Sequence, residues 1–167
     1  MLTLVGGYYA VDILVQRSRT RAMMSAALEA TSDGLALSDL SQRQLQILLA
    51  VEDPGFYEHH GIDFDTPGGG LTTITQSLGK LHYFERFEPG VRKIRLCLLA
   101  RFALDPILSK DDQLTLFINE IGLRLVDGRY VRGFAEGARA HYGKSFAELD
   151  EQKRVLAPHD PARQAPP

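Results

Sequence analysis

The chain has 167 residues, enough for one domain with its own core but short for two. Apolar residues make up 44% and charged residues 24%, the usual balance of a folded soluble domain. The net charge of −2 excludes a global field that would draw the protein to nucleic acid or anionic lipid. Cys97 is the single cysteine and lies in an apolar run, so it is predicted to be a buried, inert thiol. The sequence lacks C-x-x-C and H-x₃₋₅-H spacings, which argues against zinc.

The N-terminal segment is apolar for about fourteen residues but carries Asp12. It is shorter than the about 20 apolar residues of a spanning helix, and it lacks the basic start of a signal peptide. The basic residues Arg17, Arg19 and Arg21 follow it instead. The segment, residues 1–16, is therefore either the remnant of a membrane anchor or a plain amphipathic helix, and residues 17–40 are predicted to be a helical linker.

Helices are predicted from apolar periodicity and from capping residues. One covers 23–31 and is broken at 32–34. The next begins at its N-cap Ser41, with Gln44 three residues on, and stops at Pro54. A third runs from about Thr73 to Tyr83 after the glycine-rich stretch TPGGG.

The second half of the chain continues this helical pattern. Apolar residues form one stripe after residue 90 and another after residue 110; they are Val91, Ile94, Cys97, Leu98 and Phe102, then Leu114, Phe117, Ile118 and Ile121. A further helix is predicted to end at the C-cap Gly143, and the proline-rich tail to be disordered beyond about Arg163. Only Gly128–Val131 suggests strands, so the fold class is all-α, mainly helical, with at most a small hairpin.

Polar chemistry is concentrated between Leu49 and Lys80. Glu52 and Asp53 end an apolar helix, where the helix dipole disfavours negative charge. A raised pKa on one of them would suit a general acid or base, although a solvated helix end gives the same pattern. The helix after the glycine-rich stretch begins with threonines, which suit phosphate oxygens but equally an ordinary N-cap. The stretch is not a Walker loop, since G-x-x-x-x-G-K-[ST] is absent.

Basic residues gather in the following stretch. Between Gly70 and Leu104 the two acids are outnumbered by Lys80, Arg86, Arg92, Lys93, Arg95 and Arg101, a local charge of +4. This cluster favours an anionic ligand such as a phosphate, with an ordinary solvated helix face as the alternative.

Two stretches, EDPGFYEHHGID (Glu52–Asp63) and GLTTITQSLGK (Gly70–Lys80), resemble signatures of the peptidoglycan glycosyltransferases, glycosyltransferase family 51. EDPGFYEHHGID is similar to the first signature, E-D-x-x-F-x-x-H-x-G, and matches it at Glu52, Asp53, Phe56, His59 and Gly61. GLTTITQSLGK is similar to the second, and matches it at Gly70, Thr72, Thr73, Ile74, Thr75, Gln76 and Lys80.

Three further signatures follow in order. Arg92-Lys93 begins the third, and KDDQLTLFIN resembles the fourth, with Lys110, Leu114, Phe117 and Asn119 aligned. GFAEGARAHYGK resembles the fifth and ends at Tyr142, Gly143 and Lys144. The resemblance covers about residues 45–163. It implies a transglycosylase domain over residues 41–163, with a tail at 164–167.

The resemblance implies a lysozyme-like fold and a reaction at the outer, periplasmic face of the bacterial inner membrane. Lipid II would be polymerised by inverting transfer with release of undecaprenyl pyrophosphate, and Glu52 would be the general base. The implied substrate-binding residues are Asp53, Phe56, His59, Gly61, Thr73, Thr75, Gln76, Lys80, Arg92, Lys93 and Asn119. No cofactor is required, although a divalent cation could assist at the pyrophosphate. The implied partners are lipid II, the growing glycan chain, the inner membrane and cell-wall synthesis proteins, with no nucleic acid.

Several positions depart from the family pattern. The third signature normally reads R-K-x-x-E, but Leu96 stands where the glutamate is expected, and Thr115 replaces a glutamate of the fourth. The segment between the first two signatures is short, and the chain is expected to be truncated before the closing helices. These departures leave open a non-catalytic module that binds lipid II or a cell-wall partner. A hydrolytic relative is disfavoured, because cleaving a neutral glycosidic bond needs no cationic clamp.

Overall fold

The computed structural model describes residues 2–65, 72–88, 90–126 and 129–149. Its elements in chain order are α1 (Leu2–Ala30), α2 (Gln42–Glu52), α3 (Ile74–Tyr83), α4 (Val91–Leu99), α5 (Lys110–Glu120), β1 (Gly122–Val126), β2 (Arg129–Arg132) and α6 (Gly133–Tyr142). Short 3₁₀ turns lie at Leu37–Asp39 and Phe146–Glu148. The structure is mainly helical with one small hairpin, as predicted.

Helix α1 is one continuous helix of 29 residues that includes both the apolar N-terminal segment and the predicted helix at 23–31. Asp12 accepts two hydrogen bonds from Arg95 of α4, at 2.6 and 2.9 Å. The hydroxyls of Thr20 and Tyr83 are 2.7 Å apart and join α1 to α3. No helix among the described residues has an apolar stretch long enough to cross a membrane.

The predicted capping residues begin and end their helices. Ser41 accepts a hydrogen bond from the Gln44 N–H at the start of α2, and the Gln44 side chain accepts one from the Ser41 N–H. Thr73 and Gln76 form the same reciprocal pair at the start of α3. Gly143 ends α6 with φ +65°, a conformation that favours glycine. These local signals set where α2 and α3 begin and where α6 ends.

The main core lies around α5. Leu114, Leu116, Phe117 and Ile118 are almost fully buried there and pack against residues of α1, α2, α3 and α6. A second, smaller apolar cluster, called here the aromatic cluster, contains Phe84, Leu96, Leu99 and Ala103, with Ile13, Tyr83 and Phe87 packed against it.

The apolar stripe predicted on α4 is present but faces outward. Val91 is 72% exposed, Ile94 56% and Phe102 47%, whereas Leu96 and Leu99 are fully buried. The helix then widens into a π-helical turn at Ala100–Leu104, closed by a 3.0 Å hydrogen bond from the Asp105 N–H to the Ala100 carbonyl. Such turns are often found near functional sites.

The predicted hairpin is the antiparallel pair β1–β2, in which Gly122 faces Arg132 and Leu123 faces Val131. Val131 lies in β2, while Gly128 lies outside the described residues. The predicted disordered tail beyond Arg163 also lies outside them.

Candidate active site

The acidic pair lies at the end of α2, as predicted. Glu52 is the last residue of the helix and is half-buried; Asp53 is the C-cap and is 3% exposed. A carboxylate this deeply buried requires hydrogen-bond donors.

The carboxylate of Asp53 joins the end of α2 to the start of α3. Both of its oxygens lie 2.9 Å from Nε2 of His59, and one also accepts a 2.9 Å hydrogen bond from the Ile74 N–H. Nδ1 of His59 accepts a hydrogen bond from the Gly61 N–H, so the Nε2–H is the donor to Asp53. The corner that carries Glu52 is therefore fixed to the first turn of α3.

Gly61 allows this corner to pack closely against the π-helical turn. Its φ is +81°, and a Cβ at this position would lie 2.7 Å from the Ala100 carbonyl oxygen. Its own carbonyl accepts a 2.8 Å hydrogen bond from the Thr73 hydroxyl. A side chain at position 61 would therefore displace either the corner or the π-helical turn.

Helix α3 presents polar side chains to the interior of the protein. Gln76, 1% exposed, accepts a 3.0 Å hydrogen bond from Nζ of Lys93, and its amide nitrogen lies 3.2 Å from Sγ of Cys97. Cys97 is partly exposed, so the prediction of a buried thiol is wrong. The reason is that Cys97 lies on the side of α4 that faces Gln76 rather than in the apolar cluster.

Lys80, one turn after Gln76, is a buried cation. It is 8% exposed, and among the described residues its ammonium contacts the face of the Phe87 ring, 5.5 Å from the centroid, but has no carboxylate partner. Burial, together with the neighbouring charge of Lys93, lowers the pKa of Lys80 to about 8. Burial also lowers the pKa of Lys93. Such a site favours an anion, which would stabilise both charges.

Half of the predicted basic cluster lies beside carboxylates elsewhere. Arg95 pairs with Asp12, and Arg86 and Arg92 lie near Glu88 on the surface. Arg92 also donates to the Arg86 carbonyl, so its guanidinium is engaged outside the α3–α4 contact. The structure therefore brings together Lys80 and Lys93 from the set, whereas Arg92 pairs with Glu88 on the surface.

Two further predicted substrate-binding residues, Phe56 and Asn119, make contacts within the protein. Phe56 is fully buried, and its ring stacks edge-on against His59, which it supports from the core side. Asn119 uses its amide to bind both the N–H and the carbonyl of Leu35 and the carbonyl of Thr115. Both residues position other parts of the chain. Gly70, aligned with the second signature, lies outside the described residues.

A buried network behind α3 was missed by the sequence reasoning. Thr75, fully buried, donates a 2.7 Å hydrogen bond to Gln113 of α5, and Gln113 donates to Asp105 and to the Leu108 carbonyl. Lys110 also donates to Asp105, at 2.7 Å. The available signal was the position of Gln113, which lies one turn before Phe117 on the apolar stripe of α5.

The described residues contain no group of three His, Cys, Asp or Glu side chains that could hold a metal ion. What the site offers is one carboxylate side, formed by Glu52 and Asp53, and one cationic side, formed by Lys80 and Lys93. The first can accept a proton and the second can hold an anion.

The comparisons with known proteins identify the family of the chain. A family model described as transglycosylase matches residues 20–161. A protein of Cupriavidus necator, provisionally named a transglycosylase, is 28% identical over 164 residues, covering 89% of this chain and 69% of the relative. Penicillin-binding protein 1A of Haemophilus influenzae is 34% identical over 126 residues, covering 68% of this chain. The same protein of Escherichia coli is 29% identical over 131 residues, covering 69%.

The chain spans only 14% of the length of each of these two penicillin-binding proteins, so the shared part is one domain of a much longer protein. The residues that the family model matches include the acidic corner, the polar face of α3 and the lysines. The chain belongs to the transglycosylase family.

Proposed function

We propose that the protein is a peptidoglycan glycosyltransferase that polymerises lipid II by inverting transfer. The proposal is supported by the transglycosylase family match and by the similarity to class A penicillin-binding proteins. The same signatures that carry the resemblance lie on the elements that form the candidate site.

The proposed reaction moves negative charge from the Glu52 carboxylate to the leaving pyrophosphate. The 4-hydroxyl of the acceptor sugar forms a bond to the anomeric carbon of the donor, and its proton passes to the Glu52 carboxylate. The bond from that carbon to the pyrophosphate breaks, and the lipid pyrophosphate leaves with the electron pair. Lys80 and Lys93 stabilise the charge on the leaving group, which is often the largest catalytic contribution.

One observation carries the proposal: helix α3 connects the acidic corner to both lysines, since Lys80 lies on this helix and Lys93 donates to it. Asp53, next to Glu52, accepts from the Ile74 N–H at the start of α3, and Gln76 of the same helix accepts from Lys93 of α4. A fixed separation between a general base and an anion site is what a concerted displacement requires. A solvated helix end and a solvated basic face would not need such a connection.

The remaining predicted residues act in this proposal by shaping the site. His59, Gly61 and Thr73 hold the acidic corner against α3, and Thr75 anchors α3 to α5. Phe56 supports His59 from the core. Asn119 is engaged with the backbone of Leu35 and Thr115, and Arg92 with Glu88 and the Arg86 carbonyl. Neither residue is assigned to the pyrophosphate in this proposal.

A membrane location at the periplasmic face of the bacterial inner membrane follows from a lipid-linked substrate. The described surface supports it, because α1 and α4 are joined by Asp12 and Arg95 and both expose apolar side chains. On α1 these are Leu4, Val5, Tyr8, Val11, Leu14 and Val15. On α4 and its π-helical turn they are Val91, Ile94 and Phe102. An exposed apolar surface of this kind suits contact with lipid.

Polymerisation of fluorescent lipid II in detergent tests the function. The wild type should form glycan polymer, and Glu52→Gln should form none, because the amide cannot accept the proton. Glu58→Gln is the matched control, since Glu58 is an exposed acid in the same corner and should retain full activity. Polymer formed at the wild-type rate by Glu52→Gln would remove Glu52 from the mechanism.

A second function, a binding module without turnover, is favoured by one observation. Leu96 occupies the position of an expected glutamate and is fully buried in the aromatic cluster. Bound lipid II with no polymer from the wild type would identify this function instead.

A further inference from the structure

Leu96 stands where the family signature has a glutamate. Its surroundings show how this difference changes the cationic side of the site. Leu96 is fully buried, and its Cδ1 lies 2.9 Å from where a Cβ on Gly79 would be. Gly79 directly precedes Lys80. A glutamate at position 96 would therefore bring a carboxylate to the segment of α3 that carries the buried lysine.

In this chain an aromatic ring takes the place of that carboxylate. The Lys80 ammonium lies over Phe87, and Phe87 packs in the aromatic cluster with Leu96. A ring face stabilises an ammonium less than a carboxylate does, and it leaves the positive charge uncancelled. The lowered pKa of Lys80 is consistent with this uncompensated charge.

The donor set on this side does not fit a divalent cation. Magnesium binds through carboxylate oxygens together with substrate phosphates. The Asp53 oxygens already accept from His59 and from the Ile74 N–H, and the proposed mechanism needs Glu52 for the acceptor proton. The nearby side chains are instead two lysines, which repel a cation and attract an anion.

Resting on the proposed function, we infer that this site binds the pyrophosphate of its donor in the metal-free form, with Lys80 and Lys93 in the place of a divalent cation. A magnesium-bound pyrophosphate carries less negative charge and brings a cation towards both ammonium groups. The site therefore selects the free anion, and magnesium in excess competes with the lysines for it.

Farnesyl diphosphate, a short prenyl pyrophosphate, is a probe for this preference. Its affinity for the full chain can be measured by titration calorimetry in EDTA and in excess magnesium chloride. We expect binding to be tighter in EDTA than in magnesium. Binding that is equally tight in both buffers, or tighter in magnesium, overturns the inference but leaves the proposed function standing. Absence of binding in both buffers removes the pyrophosphate site, and with it both proposals.

Substitution of Leu96 tests the same inference from the protein side. Leu96→Glu should weaken metal-free binding by about tenfold or more, because the new carboxylate pairs with Lys80. Leu96→Gln is the matched control, since it has the same shape and polarity but no charge. Equal affinities of the two variants would overturn the inference.

Lys93→Gln keeps the inference testable if both substitutions at position 96 unfold the protein. Lys93 is half-buried on α4, so its replacement disturbs the core less. This variant should bind farnesyl diphosphate more weakly in EDTA and should be less inhibited by magnesium. Unchanged binding and an unchanged response to magnesium would overturn the inference.

Discussion

Helices α3 and α5 are neighbours of 10 and 11 residues, and a hydroxyl side chain caps the start of each. Their buried faces differ in kind. Helix α5 buries mainly apolar side chains, including Leu114, Phe117 and Ile118, whereas α3 buries Gln76, Ser77 and Lys80 beside its apolar residues.

This difference separates the side chains that stabilise the fold from those that are proposed to bind a ligand. Burying an apolar side chain contributes about 1.5–3 kcal/mol to stability, whereas burying an ammonium without a carboxylate costs free energy. Lys80 therefore does not stabilise α3. A polar side chain kept in such a position indicates a ligand that is recognised there.

The largest expected loss of stability comes from a substitution on α5. Phe117→Ala should lower the free energy of unfolding by about 3–5 kcal/mol, because it removes a fully buried ring from the main core. Urea denaturation measures this loss. Arg43→Ala, at an exposed position of α2, is the control and should change stability by less than about 0.5 kcal/mol. A loss below about 1 kcal/mol for Phe117→Ala would contradict the assignment of the core to α5.

The pH dependence of stability gives a smaller effect on the α3 side. The pKa of Lys80 is lowered to about 8 in the folded protein from 10.5, so the unfolded chain binds more protons between these values. Stability from this group therefore rises with pH across that window, by about 3 kcal/mol in total. Below pH 8 the full cost of the buried charge is present.

Urea denaturation of the wild type and of Lys80→Met from pH 7 to pH 10.5 isolates the contribution of Lys80 to stability. The other titrating groups are common to both proteins. The stability gap between the two proteins should narrow as the pH rises. A gap that stays constant would show that Lys80 is not the titrating group.

The smallest effect is expected outside the two helices' buried faces. Arg92→Gln should change the free energy of unfolding by less than about 1 kcal/mol, because the ion pair of Arg92 with Glu88 is exposed to solvent. It should also reduce lipid II polymerisation far less than substitution of Lys93. Loss of polymerisation comparable to that of Lys93→Gln would place the Arg92 guanidinium in the site after all.

Much of the fold could be predicted from local signals. The N-cap Ser41 and the C-cap Gly143 are predicted from residues within one helical turn, and the structure confirms them. The outward direction of the α4 stripe could not be predicted in this way. Val91 and Ile94 have helical spacing, but which face of α4 is buried depends on α1 and α3, which are distant in the sequence.

The sequence predicted which residue types form the site, but not which of these residues pair with one another. The sequence pointed to Lys80 and Lys93 together with the arginines, because charge along the chain does not show which cations are already neutralised. Arg95 is neutralised by Asp12, which lies 83 residues away. The link from Thr75 to Gln113 was likewise invisible, since it depends on how α3 crosses α5.

The most direct test of the central claim measures stability and activity on the same preparations of wild type and Lys80→Met. The methionine keeps most of the length of the side chain and removes its charge. At neutral pH we expect Lys80→Met to be more stable than the wild type by about 1–3 kcal/mol, and to have lost lipid II polymerisation. A less stable variant that still polymerises lipid II at the wild-type rate would contradict the account, and would make Lys80 a structural residue.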